Sequence, residues 1–222
     1  NVVIPSFAIE RTQELLYRLG ELLRAGRIPA LPVFVDSPMA VKVTEVFRRH
    51  PELFDKETVA LLERGEHPCD FDGLHLTRSV DESKALNKRT GTSIIIAGSG
   101  MCTGGRIKHH LNNNLERPES TILFVGYQAV GTLGRQILEG APQVRLFGEM
   151  LAVNARIEKV NGMSAHADQN ELMLWLKGQQ APPEQVFMIH GEPSGADAMA
   201  SRVTRDLGIP ARAAKPQEIV EF

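Results

Sequence analysis

Two histidines occupy matching places in the second half of the sequence. His166 lies in Ser164-Ala165-His166-Ala167-Asp168, between a strand pattern and a helix pattern. His190 lies in Ile189-His190-Gly191-Glu192, directly after the apolar run Val186 to Ile189. Imidazole serves either as a metal ligand or as an acid and base near neutral pH. Polar residues at strand C-termini are where α/β proteins gather their ligands. A single histidine is more often a hydrogen-bonded structural residue, and two alone do not hold a catalytic zinc, which takes three or more protein ligands.

Two glycine-rich turns offer different chemistry. In Gly98-Ser99-Gly100-Met101-Cys102-Thr103-Gly104-Gly105, a β-branched run gives way to glycines and then to a helix pattern carrying Arg106, Lys108, His109 and His110. Backbone N–H groups in such a turn can approach an anion. The spacing is neither the dinucleotide fingerprint nor a P-loop, and the glycines serve equally well for close packing. Gly126-Tyr127-Gln128 followed by Gly131-Thr132-Leu133-Gly134-Arg135 repeats the pattern. There Arg135 reaches a phosphate or pairs with Glu139 one helical turn on. His50, His67 and His75 stand in helix-end, loop and unassigned positions, and Cys69 and Cys102 form no CxxC pair. No serine sits in a GxSxG elbow.

The elements that must position these groups alternate along the chain. Strand patterns fall at 2–5, 32–35, 92–97 and 121–125, with a short strand or loop in 70–78. Helix patterns fall at 10–25, closed by Gly26, and at 39–50, 56–64, from 81, 106–115 and 131–140. Asp36-Ser37-Pro38 reads as an N-cap with proline just inside the helix. The expectation is an α/β fold with an open, mainly parallel sheet and flanking helices. After Gly148 the texture changes. A half-exposed strand over 153–160, a helix over 169–177 behind Asp168, a buried strand at 186–189, a helix at 196–207 and a terminal strand at 219–222 follow. Trp175 and Phe187 fall in apolar periods and read as core. A domain boundary is placed at about residue 152.

Composition narrows the function classes. Of 222 residues, 42% are hydrophobic and 23% charged, which excludes wholesale disorder. A net charge of −2 excludes a generally basic nucleic-acid coat but leaves room for a local phosphate site. The apolar runs are strand-sized, and no signal peptide is visible, so a reduced cytoplasmic protein with no membrane partner is expected. The sequence opens at Asn1, directly on a strand pattern, which suggests a fragment.

The motifs together resemble a known family. Ile4-Pro5-Ser6-Phe7-Ala8 with Arg11, Gln13, Glu14 and Leu15 is similar to the opening of the β-CASP region of metallo-β-lactamase-fold RNA nucleases. So are Asp36-Ser37-Pro38-Met39-Ala40, the two glycine turns, and the segments around His166 and His190, in the family's order over nearly the whole chain. The resemblance extends to bacterial and archaeal proteins akin to the nuclease subunit of the cleavage and polyadenylation factor. It implies a β-CASP cap over residues 1–152, with the N-terminal edge missing, and the C-terminal segment of a metallo-β-lactamase αββα domain over 153–222. It places His166 on motif B, near the scissile phosphate, and His190 on motif C, a ligand of one of two zinc ions. Histidine at motif C favours RNA over DNA.

The resemblance also implies RNA or phosphate contacts at Ser37, Ser99, Gly100, Gly104, Gly105, Arg106 and Arg135. No HxHxD pattern occurs in the chain. The expectation is therefore the C-terminal part of a zinc-dependent ribonuclease acting on single-stranded RNA. The chain alone is expected to be inactive and to lack a complete two-zinc centre. A homodimer of the intact protein is left open. The alternatives are a non-catalytic RNA-binding or scaffold member of the same fold and, more weakly, a nucleotide-binding module.

Overall fold

The β-branched runs become strands because each alternates its side chains between two covered faces. A computed structural model describes residues 1–164 and 166–220; Ala165, Glu221 and Phe222 lie outside the described residues. In chain order the first elements are β1 (Val2–Pro5), α1 (Arg11–Arg24), β2 (Val33–Val35), α2 (Pro38–Arg49), α3 (Lys56–Glu63), β3 (Leu74–Leu76), α4 (Val80–Leu86), β4 (Ile94–Ala97), α5 (Ile107–Asn114), β5 (Thr121–Phe124) and α6 (Leu133–Leu138). A hairpin, β6 (Gln143–Leu146) and β7 (Glu149–Ala152), precedes β8 (Arg156–Lys159). The last elements are α7 (Gln169–Lys177), β9 (Val186–Met188), α8 (Pro193–Leu207) and β10 (Ala211–Ala213).

The main sheet has six strands in the order β3-β2-β4-β1-β5-β8, and each adjacent pair is parallel. The expected α/β architecture is the one observed. Period-two alternation divides the core into two layers. Val3, Ile122 and Phe124 face α5, α6 and the hairpin through Ile107, Leu111, Leu115, Ile137, Val144 and Leu146. Ile4, Val33, Val35, Ile94 and Ile96 face α1 and α2 through Leu15, Leu16, Ala40 and Val41. Because all six strands run the same way, the turns after β1, β2, β4 and β5 share one edge of the sheet.

The chain forms two compact units, Asn1–Ser164 and Ala165–Phe222. β8 pairs with β5 and so belongs to the first unit. The change of texture near residue 152 coincides with the end of the hairpin, whereas the division between units falls after Ser164. The second unit has a parallel pair, β9 with β10, and a small core of Met173, Leu176, Val203 and Ile209.

Four local expectations are corrected. Trp175 is 65% exposed, because Met173 and Leu176 take the inward face of α7 and turn Leu174 and Trp175 outward. The strand at 186–189 is half-buried rather than buried and ends at Met188, leaving Ile189 exposed. Its partner is Ala211–Ala213, a segment without β-branched residues that gives no strand signal. Of the terminal strand placed at 219–222, Ile219 and Val220 form none, and the last two residues lie outside the described ones. Among the described residues no helix is long and apolar enough to cross a membrane.

Candidate functional site

The turn after β2 carries a carboxylate with no exposure to solvent. Ser37, not Asp36, caps α2: its hydroxyl accepts from the Ala40 N–H at 3.3 Å, with Pro38 at the first helical position. Asp36 is thereby released to point inward. Its Oδ1 accepts from Arg106 Nη1 at 2.7 Å, and its Oδ2 accepts from His110 Nε2 at 2.6 Å and Ser83 Oγ at 2.6 Å. Burial opposes ionisation of Asp36, but the hydrogen bonds from His110, Ser83 and Arg106 outweigh it and hold the carboxyl below the usual carboxylate range. The imidazole nitrogen facing this carboxylate is therefore the donor, and His110 Nδ1 is buried with no hydrogen-bond partner among the described residues. Arg106, at the N-cap of α5, and His110, in its first turn, sit four residues apart, so a single turn delivers both cation and imidazole to Asp36.

The glycine turn after β4 is braced from within. Ser99 N–H donates to Gly104 O at 3.0 Å, and Ser99 Oγ accepts from the N–H groups of Thr103 at 3.0 Å and Gly104 at 3.3 Å. Cys102 N–H donates to Ser99 O, and Ile107 N–H to Gly98 O. Gly105 has φ +78, and a Cβ there would collide with the Gly98 carbonyl, so only glycine closes this turn. Gly104 has open space around it. Arg106 is turned onto Asp36, with its side chain 18% exposed.

After β5, Gln128 enters the interior and is 2% exposed. Its amide nitrogen donates to Gly100 O at 2.8 Å and Gly126 O at 3.3 Å, which ties the two glycine turns together. Gly134 lacks a side chain where the Gln128 amide lies. Thr132 caps α6, and Arg135 pairs with Glu139 at 2.6 Å while donating to Gln128 O at 3.2 Å. Ser37, Ser99, Gly100, Gly104, Gly105, Arg106 and Arg135 thus all lie in the turns along the C-terminal edge of the sheet or in the helix turns that follow them.

The two histidines belong to the second unit. His166 is exposed and precedes Asp168, whose carboxylate caps α7 and forms a reciprocal capping box with Glu171. His190 is exposed with φ 61 and follows β9. Among the described residues no group of three or more His, Cys, Asp or Glu side chains is placed to hold a metal ion. His190 by itself does not make a zinc site. The buried thiols of Cys69 and Cys102 are pushed up to about 11 and about 12 by desolvation, which leaves both unreactive at neutral pH.

Sequence reading passes over Asp36, Gln128 and Phe7 as functional candidates, and takes His110 only as one of several cationic or protonatable groups beside the glycine turn. The available signal was a carboxylate at a strand end and an Arg–His pair one helical turn apart.

The Beta-Casp domain family matches residues 12–137, and the Zn-dependent metallo-hydrolase RNA specificity domain family matches residues 150–214. The first match alone covers more than half of the chain. The chain belongs to the β-CASP family of metallo-β-lactamase-fold RNA nucleases. Ribonuclease TTHA0252 of Thermus thermophilus is 41% identical over 86% of this chain and 43% of its own length. The transcription termination factor FttA of Methanosarcina mazei is 34% identical over 99% of the chain and 35% of its own length. An RNase J-like protein of Methanocaldococcus jannaschii is 31% identical over 95% of the chain and 47% of its own length. The β-CASP chain therefore spans between about a third and a half of the curated relatives it matches.

Proposed function

We propose that this chain is the cap and the C-terminal metallo-β-lactamase segment of a zinc-dependent ribonuclease that hydrolyses phosphodiester bonds of single-stranded RNA in the cytoplasm. The observation that carries this reading is the ordered match of both families, with His166 and His190 inside the second. Residues 153–222 would complete a larger domain, a reading supported by the apolar side chains of Leu174, Trp175 and Ile189 exposed on the second unit.

Within that reading His190 contributes one ligand to a metal centre whose other ligands come from outside this chain. His166 delivers a proton to the leaving oxygen. The turns carrying Ser37, Ser99, Gly100, Gly104, Gly105, Arg106 and Arg135 line the path of the RNA backbone. The chain alone neither cleaves RNA nor binds two zinc ions tightly.

The test uses the full-length protein, with zinc content and single-turnover cleavage of a labelled RNA measured together. His190→Ala lowers both. His166→Ala leaves zinc bound and slows cleavage by about two to four orders of magnitude, the usual contribution of general acid catalysis. RNA binding by the full-length protein without cleavage in any metal would replace the enzyme reading with that of an RNA-binding scaffold. Full activity of the His166 variant would remove that residue from the chemistry.

A further inference from the structure

Phe7 lies in the turn between β1 and α1, and the turn is fastened at its backbone. Thr12 Oγ1 donates to the Phe7 carbonyl at 2.7 Å and Ser6 Oγ donates to it at 3.2 Å. The side chain does not enter either core layer; it is 42% exposed. Its ring rests instead on glycine backbone. A Cβ at Gly100 would sit 2.7 Å from Phe7 Cδ2 and Cε2, closer than any side chain permits, and one at Gly126 would sit 3.8 Å from Cε2. These two glycines are the pair whose carbonyls accept from the Gln128 amide. A buried glutamine thus fixes the two backbone segments on which one aromatic ring lies.

This mount is half-open and has a guanidinium beside it. Arg11 donates to Val125 O, and its guanidinium lies 3.8 Å from the Cβ position of Gly126, the same position that Phe7 Cε2 approaches. Tyr127, next in sequence to Gly126, is 57% exposed. An exposed aromatic face beside a guanidinium, on the sheet edge that gathers ligands, matches how single-stranded nucleic acid is held: bases stack on aromatics while cations follow the backbone. We propose that Phe7 is a stacking platform for a nucleobase of single-stranded RNA, with Gln128 the positioning residue that keeps Gly100 and Gly126 level beneath it. The proposal rests on the RNA reading above and adds a base contact to it. Stacking tolerates any base, so the platform selects unpaired strands rather than a sequence.

Binding of a short single-stranded RNA to the 222-residue chain tests this, using the oligonucleotide with one 2-aminopurine, the same oligonucleotide with an abasic site at that position, and circular dichroism to check folding. Phe7→Ala weakens RNA binding by about 5- to 150-fold, the range of one lost base–aromatic stack, and abolishes the 2-aminopurine quench. Phe7→Trp keeps both. The abasic RNA binds the unmodified chain as weakly as intact RNA binds the Ala variant. Phe7→Leu keeps the apolar bulk without the aromatic face; full binding and an unchanged quench there would overturn stacking in favour of a plain apolar contact, such as a protein segment. Equal binding of intact and abasic RNA would overturn the platform while leaving RNA recognition standing. No RNA binding by the unmodified chain would sink both.

Discussion

The two units of the chain solve the burial problem differently. In the first, a six-stranded parallel sheet is covered on both faces, so Val3, Leu16, Val35, Ile122 and Phe124 have no solvent exposure. Its buried carboxylate has a cation, an imidazole and a hydroxyl to satisfy it. In the second, among the described residues, two short half-buried strands and two helices gather a small cluster of Met173, Leu176, Val203 and Ile209, while Leu174 and Trp175 face outward. The first unit closes its own core and can hold turns at fixed positions along a sheet edge. The second places His166 and His190 on loops of a much smaller core. Fixed positions for the glycine turns are thus built into this chain, whereas the two histidines sit on loops over a smaller core.

Breaking the first unit at its polar centre has the largest effect. Asp36→Ala strands Arg106 and His110 without their anion, and removal of one partner of a buried ion pair typically costs about 3–5 kcal/mol. Urea unfolding followed by circular dichroism measures it. A loss below about 1 kcal/mol would mean that the cluster is hydrated rather than sealed.

Cutting into the second unit costs less. Met173→Ala removes a residue only 3% exposed, and deletions of this kind span about 2–5 kcal/mol depending on how far the site collapses. A small core cluster rimmed by partly buried residues relaxes easily, so the loss falls near about 2 kcal/mol. Hydrogen exchange resolved by segment places it: exchange accelerates in α7, α8 and β9 and stays unchanged in β1 and β4. Acceleration in β1 would contradict the division into two separately packed units.

Acid sharpens the same contrast. The folded-state carboxyl of Asp36 lies below its ordinary value, so its stabilising contribution is complete above the unfolded-state pKa of about 4 and is lost as pH falls below that toward the folded value. The unmodified chain therefore loses stability below about pH 4 more steeply than Asp36→Asn, which cannot titrate there. Parallel pH profiles of the two proteins would show that the carboxylate is not depressed.

Much of this arrangement was legible in the sequence, for reasons that differ by element. Val2–Pro5 and Ile94–Ala97 are short apolar runs between turn residues, and a parallel strand covered on both faces demands that pattern. Asp168 and Gln169–Lys177 follow from capping chemistry, which is local. The N-cap with its proline was legible at 36–38, but the buried role of Asp36 was not, because its partners Ser83, Arg106 and His110 lie far along the chain. The hairpin of β6 and β7 was missed because Phe147, at φ 52, and Gly148 make its turn without a standard turn dipeptide. β10 has no signal of its own and is a strand only because β9 is beside it. The path from Phe7 through Gly100 and Gly126 to Gln128 joins three separate turns, so no single window of sequence contains it.

The smallest effect concerns Trp175, and it is the most discriminating for the second unit. The residue is the sole tryptophan of the chain and 65% exposed, while its neighbours Met173 and Leu176 face inward. A side chain so placed contributes little to folding, and surface substitutions away from caps and buried partners usually lie within about 0.5 kcal/mol. Trp175→Gln should therefore leave the urea midpoint of this chain almost unmoved, followed by circular dichroism because the fluorophore is gone. The same substitution in the full-length protein should cost about 1.5–3 kcal/mol if further chain buries that face, the usual worth of sealing a large apolar side chain. A loss of that size already in the 222-residue chain would mean that the outer face of α7 is covered within it. The second unit would then be as self-sufficient as the first. No difference between the two proteins would separate α7 from the proposed larger domain.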